Sequence, residues 1–133
     1  MVKIKLYGGI KMRKFLNVSN HRFTDDQLAD ISNMGLELME LPADLKGKWG
    51  SMSPETYQDV CKEVNELILN DPDVEVVHLA GFQPAIVYLL SIYPGECVYA
   101  YSDRIVTEVS QPDGSIKKES TFKHKGFFSY PRI

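Results

Sequence analysis

Charge of one sign is what this 133-residue chain most plainly lacks: 15 Lys and Arg stand against 18 Asp and Glu, a formal net charge of -3. So balanced a chain offers no general attraction to a long nucleic acid or an anionic membrane surface, so an anionic ligand would have to be small and gripped locally. Cysteine is scarce as well. Cys61 and Cys97, the two cysteines present, lie far apart inside apolar periodic segments and without zinc spacing, which reads as two reduced core thiols. No apolar run reaches transmembrane length and the N-terminus has no signal-peptide hydrophobic region, so a cytoplasmic protein is expected. Also missing are the Gly-x-Gly-x-x-Gly fingerprint, the Walker lysine and the Gly-x-Ser-x-Gly elbow. Dinucleotide cofactors, nucleoside triphosphates and a hydrolase nucleophile of that kind are therefore not expected. No pair of carboxylates stands at metal-ligand spacing on a loop, and Glu55, Glu63 and Glu66 fall on the wet face of a helix. The expectation is neither cofactor nor metal.

What is present is an ordinary globular composition, 44% hydrophobic and 25% charged. It reads as one domain over residues 12–133 behind an N-terminal extension, 1–11, which is a leader, an alternative start or an added edge strand in which Lys3 and Lys5 alternate with Ile4 and Leu6. Beyond it the hydrophobic period switches repeatedly. Arg13 to Val18 and Leu36 to Leu41 read as strands. So do Val74 to Ala80, with a buried central pattern, and Cys97 to Tyr101. Between them lie helices over Thr24 to Asn33, Pro54 to Asn70 and residues 84–93. The second carries an apolar stripe of Tyr57, Val60, Cys61, Val64, Leu67 and Ile68, with Ser53 as its N-cap. The third is apolar almost all round, as a deeply buried or subunit-sharing helix would be. Strands and helices in alternation predict an α/β fold, a Rossmann-like and mainly parallel sheet flanked by helices. Arg104 to Ser110 and Ile116 to Lys125, joined by Gln111-Pro112-Asp113-Gly114, add a C-terminal antiparallel β-hairpin.

In such sheets ligands gather at the carboxyl ends of the strands. Three segments there should line one crevice. The first is the polar turn Ser19-Asn20-His21-Arg22, which ends where Thr24 and Gln27 form a capping box for the first helix. An imidazole, two small hydrogen-bonding groups and a guanidinium beside a helix N-terminus suit an anion, although such a turn can equally be there for solvation. The second is Gly81-Phe82-Gln83, where the glycine lets a ligand approach and the following helix offers its amides. The third is Ser102-Asp103-Arg104, in which a structural salt bridge is at least as good a reading as a ligand contact. Among the histidines, His78 inside a strand reads as a hydrogen-bonded core residue, His124 is balanced between structure and function, and His21 is the best placed. Pro42 to Ser53 reads as a long loop. Its Trp49 either plugs the core edge or stacks on a base while Lys46 and Lys48 meet phosphates.

Five segments recur together in order: Phe15-Leu16-Asn17-Val18-Ser19-Asn20-His21-Arg22-Phe23-Thr24, Leu41 to Trp49, Val98-Tyr99-Ala100-Tyr101-Ser102-Asp103-Arg104-Ile105-Val106, Pro112-Asp113-Gly114-Ser115, and Phe122-Lys123-His124-Lys125-Gly126-Phe127-Phe128-Ser129-Tyr130. In them the chain resembles the small standalone CRISPR-associated proteins of type III systems, CARF-like in fold and counted among the ring nucleases. The resemblance covers about residues 12–130.

It implies a homodimer that binds cyclic oligoadenylate, chiefly the tetra-adenylate ring (cA4), across its two-fold axis. The ring is cut without a metal: a ribose 2′-hydroxyl attacks the adjacent phosphate and leaves a 2′,3′-cyclic phosphate. On this reading His21 is the acid or charge stabiliser, with Ser19, Asn20 and Ser102 orienting. Arg104, Lys123 and His124 hold phosphates, Gly81, Phe82 and Gln83 shape the adenine and phosphate pocket, and Arg22 and Trp49 also contact the ligand. The chain departs from the pattern in having Ala80 where the family tends to have glutamine, and Gly126 and Phe128 where arginines are expected. A non-catalytic binder of the same ligand is the alternative, and a small interaction module without a nucleotide ligand is a third reading.

Overall fold

The structure, a computed structural model, describes residues 6–7, 10–11 and 13–132. The 1–11 extension therefore lies mostly outside the described residues. Of it, β1 (Leu6–Tyr7) and β2 (Ile10–Lys11) pair antiparallel as a separate two-stranded ribbon. The main body runs β3 (Arg13–Val18), α1 (Asp25–Asn33), β4 (Leu36–Glu40), α2 (Ala43–Gly50), α3 (Tyr57–Leu69), β5 (Val74–Leu79), α4 (Gln83–Ile92), β6 (Glu96–Ser110) and β7 (Ile116–Ser129). Its five-stranded sheet has the order β4-β3-β5-β6-β7. The first four strands are mutually parallel and β7 returns antiparallel to β6. The mixed α/β architecture with a terminal hairpin is thus present.

Alternation along the strands divides the interior in two. Leu16, Val18, Val77, Leu79 and Cys97 face α2, α3 and α4 and pack with Leu45, Trp49, Val60, Val64, Ala85 and Leu89. Phe15, Val98 and the half-buried Val76 face the other way and meet Phe23 and Ile31 at α1, together with Phe127 of β7. The capping box that starts α1 is formed as its residues require: Thr24 Oγ1 accepts from Gln27 N at 3.3 Å and Gln27 Oε1 accepts from Thr24 N at 2.9 Å. Both cysteines are buried and free, and burial raises each thiol to about pKa 11.

Four features differ from the sequence expectation. The long loop expected over Pro42 to Ser53 contains α2, whose Leu45 and Trp49, four residues apart, bury one face. Gly47 and two lysines dilute that signal. Ser53 and Pro54 do not open α3. The Ser53 carbonyl accepts from Thr56 N and Tyr57 N, closing a turn ahead of a helix that starts at Tyr57. Helix α4 buries Ala85 and Leu89 but leaves Val87 68% exposed, so its apolar character is not matched by burial all round. Finally, Ser102 to Arg104 is no loop. β6 runs on through it, paired to β7 as far as Ser110, and a bulge in β7 at Lys125 lets Tyr101 oppose Gly126 while Ser102 opposes His124. Gly126 takes φ +156° there.

Because β5 pairs with β6 only from Val76 to His78, the ribbon beyond Val98 leaves the parallel sheet as an arm. At its tip Gln111 N bonds Ser115 O and Gly114 N bonds Gln111 O, which is the turn that Pro112-Asp113-Gly114 demands. The arm exposes Ile105, Val106, Ile116 and Phe122. Among the described residues no helix is long and apolar enough to cross a membrane.

Candidate functional site

The strand order reverses between β3 and β5, and the chain leaves both strands at the same edge of the sheet. A cavity of about 390 Å3 opens there, lined by His21, Gln27, His78, Ala80, Tyr99 and Ser102 among others. A second, of about 360 Å3, shares Ala80 with it and is lined by Asn20, Trp49, Gly50, Met52, Gly81 and Phe82. The structure therefore brings His21 and Ser102 to one cavity, and Asn20, Gly81, Phe82 and Trp49 to its neighbour.

Beneath the first cavity lies a network centred on Asn17, a fully buried amide in an otherwise apolar strand. Its Nδ2 donates to the His21 carbonyl at 2.9 Å and to Glu40 Oε2 at 3.1 Å. Its Oδ1 consequently accepts twice, from Ser19 Oγ at 2.6 Å and from His78 Nδ1 at 2.9 Å. Ser19 Oγ in turn accepts from His21 N at 3.1 Å. With its proton committed to Asn17, Ser19 serves the turn and lines neither cavity.

The same reasoning fixes both imidazoles. His78 must carry its proton on Nδ1, since Asn17 Oδ1 cannot donate. Phe15 stacks on the ring, with centroids 6.3 Å apart, and Phe23 and Phe127 meet it edge-on at 5.0 and 5.8 Å. This apolar cage penalises the imidazolium, and with some help from the charge of His21 it lowers His78 to about pKa 4. His21 is the exposed partner. Its Nε2 lies 3.1 Å from Gln27 Oε1, an oxygen that already accepts from Thr24 N, so Nε2 carries the proton and Nδ1 has no partner among the described residues.

In the second cavity Asn20 binds across to α2. In its hydrogen-bonded orientation the side-chain oxygen accepts from Gly50 N at 3.1 Å and the nitrogen donates to Lys46 O at 3.3 Å. Trp49 is buried, with Nε1 donating to the Ala80 carbonyl at 2.9 Å, so it does plug the core edge. Gly81 takes φ +137°, and a Cβ there would stand 3.0 Å from Trp49 Nε1. Gln83 points elsewhere, toward a shallow depression with Tyr57, Val87 and Tyr88.

Four other candidates sit apart. Arg22 is exposed on the turn. Arg104 lies on the arm with Nε and Nη2 both donating to Ser120 Oγ, and Lys123 pairs in register with Asp103. His124 is turned toward α1, its Nε2 2.9 Å from Asp30 Oδ2. Neither cavity has a lysine or arginine among its described lining residues. Nor, among the described residues, do three His, Cys, Asp or Glu gather closely enough to hold a metal ion.

Sequence reasoning missed Asn17, Tyr99 and Tyr130, and it saw Gln27 only as a cap. The usable signal was Asn17 itself, a polar residue amid Phe15, Leu16 and Val18. Tyr130 follows β7, lines the first cavity and donates to the Leu79 carbonyl at 2.7 Å.

Comparison with curated proteins and with solved structures finds no match. A family model, however, matches residues 13–128, a span that holds the whole five-stranded sheet but the last residue of β7, together with both cavities apart from Tyr130. The chain belongs to the uncharacterized protein MJ1673 family.

Proposed function

We propose that the protein is a CARF-like, Rossmann-like ring nuclease, acting as a homodimer that binds cyclic oligoadenylate and cleaves it by attack of a ribose 2′-hydroxyl on the adjacent phosphate. The observation that carries this reading is the cavity at the carboxyl ends of β3 and β5, beside the middle of β6, which His21 and Ser102 both line. Within it His21 is held through Nε2–H, and an imidazolium there would carry a second proton on Nδ1, to be given to the departing 5′-oxygen or shared with a phosphoryl oxygen. Ser102 is a hydroxyl with no protein partner among the described residues and suits an orienting role. The resemblance of the segments around Ser19–Thr24, Ser102–Arg104 and Lys123–Phe128 supplies the substrate class.

Purified protein incubated with labelled cyclic tetra-adenylate in EDTA should yield linear products ending in a 2′,3′-cyclic phosphate, and His21→Ala should slow the reaction. A ring that persists at high enzyme excess overturns the nuclease reading.

A second reading, a binder without turnover, is favoured by one observation. Arg104 and His124 are engaged with Ser120 and Asp30, so the cavity has few fixed cations to offset charge on a phosphorane. Tight binding of the intact ring in the same experiment selects it.

A further inference from the structure

His78 enters neither reading above, yet it is the most constrained group in the cavity. Its side chain is 98% buried, since the residue is 2% exposed, and it lines the cavity wall. Nδ1 is committed to Asn17 Oδ1, while Nε2 has no partner among the described residues. That nitrogen is not fully enclosed and the residue lines the cavity, so it can accept from a donor that enters there. Three aromatic rings hold the imidazole in place, and Asn17 is itself held by Glu40 and the His21 carbonyl. The ring can neither turn over nor exchange its proton between nitrogens without breaking that set.

We propose that His78 Nε2 is a fixed, acceptor-only contact for a hydroxyl of the ligand, making His78 the residue that distinguishes a ribose from a deoxyribose in this cavity. The inference rests on the proposed nucleotide ligand and adds a residue to it. A hydroxyl fits better than an amino group because Ser102, on the same cavity, has an unused hydroxyl that can donate to it. A ribose 2′-oxygen can give its proton to His78 and accept from Ser102 at once, whereas an exocyclic amine can only give. The low basicity of the buried ring means that it orients the hydroxyl rather than removing its proton.

The test uses the full chain, with cyclic tetra-adenylate and its all-2′-deoxy counterpart as probes in a binding titration. Wild type should bind the ribose ring roughly 10- to 100-fold more tightly, the span expected when a buried acceptor loses its donor. In His78→Phe that preference should collapse toward unity while affinity for the deoxy ring stays nearly constant. If His78→Phe does not fold, His78→Gln serves, and nitrogen-15 spectra of the wild-type imidazole read the tautomer directly. A proton on Nε2 at neutral pH, or a ribose preference that survives in the variant, overturns the inference alone. Failure of both rings to bind overturns the proposed function and this assignment with it.

Discussion

Gln27 holds His21. One side-chain oxygen accepts both from Thr24 N, closing the cap of α1, and from His21 Nε2, aiming the imidazole at the cavity. Structure and site therefore share a single atom. Gln27→Ala should lose about 1 kcal/mol of stability, the usual worth of a cap, and should also slow ring cleavage several-fold at constant ring affinity. Gln27→Glu, which can still cap, should melt near wild type. Thermal unfolding and single-turnover cleavage of the same samples separate the two effects.

Stability should fall with acid in a window set by His78. The group ionises near 6.5 when unfolded and near 4 when folded, so the unfolded chain binds the extra proton. Its contribution is complete above about pH 6.5 and is lost progressively as the pH drops toward 4, a change on the order of 3 kcal/mol. Urea unfolding across that range should show the slope in wild type and its disappearance in His78→Phe.

Gly81→Ala should be costly although the residue is exposed. The backbone there has φ +137° and the added methyl would press on Trp49 Nε1, which would loosen the Trp49–Ala80 hydrogen bond. About 1–3 kcal/mol is expected, measured by chemical denaturation, with tryptophan fluorescence shifting toward that of a hydrated ring.

Arg132 ties the C-terminus to the end of α4. Its guanidinium donates to Leu90 O at 2.7 Å, to Tyr93 O at 2.9 Å and to Gly95 O, carbonyls that the end of α4 and the loop after it leave unpaired. Arg132→Ala should destabilise by about 1–3 kcal/mol, and Arg132→Lys should restore little, since an ammonium cannot spread over three acceptors in the same fork. Amide exchange should locate the loss at residues 90–97.

The sequence made the architecture readable wherever local chemistry and tertiary packing agreed. The α1 capping box, the Pro112-Asp113-Gly114 turn and the buried pattern of Val74 to Leu79 all specify their own conformations. Helix α2 was obscured because Gly47, Lys46 and Lys48 spoil its stripe, and only burial of Leu45 and Trp49 against α3 and β5 makes it a helix. The continuation of β6 through Ser102 was obscured for a different reason. A strand end is inferred from a loss of apolar alternation, and this strand is paired by a hairpin partner rather than by burial. For the site, His21 could be named from its place just past the end of β3, and Ser102 only from an expected strand end that β6 in fact runs through. The Asn17–His78 contact could not, because it joins residues 61 apart and depends on which face of each strand turns toward α1. Arg104 and His124 went astray for the complementary reason, since the bulge at Lys125 decides where the hairpin sends them.

The arm gives the cavity a handle. From Asp103 to Ser110 β6 projects eight residues beyond Ser102, about 27 Å of ribbon at strand rise, paired along its length to β7, with the Lys125 bulge at its base. Tip and pocket wall thus belong to one continuous hydrogen-bonded ribbon, whose inner end carries Ser102 at the mouth of the pocket.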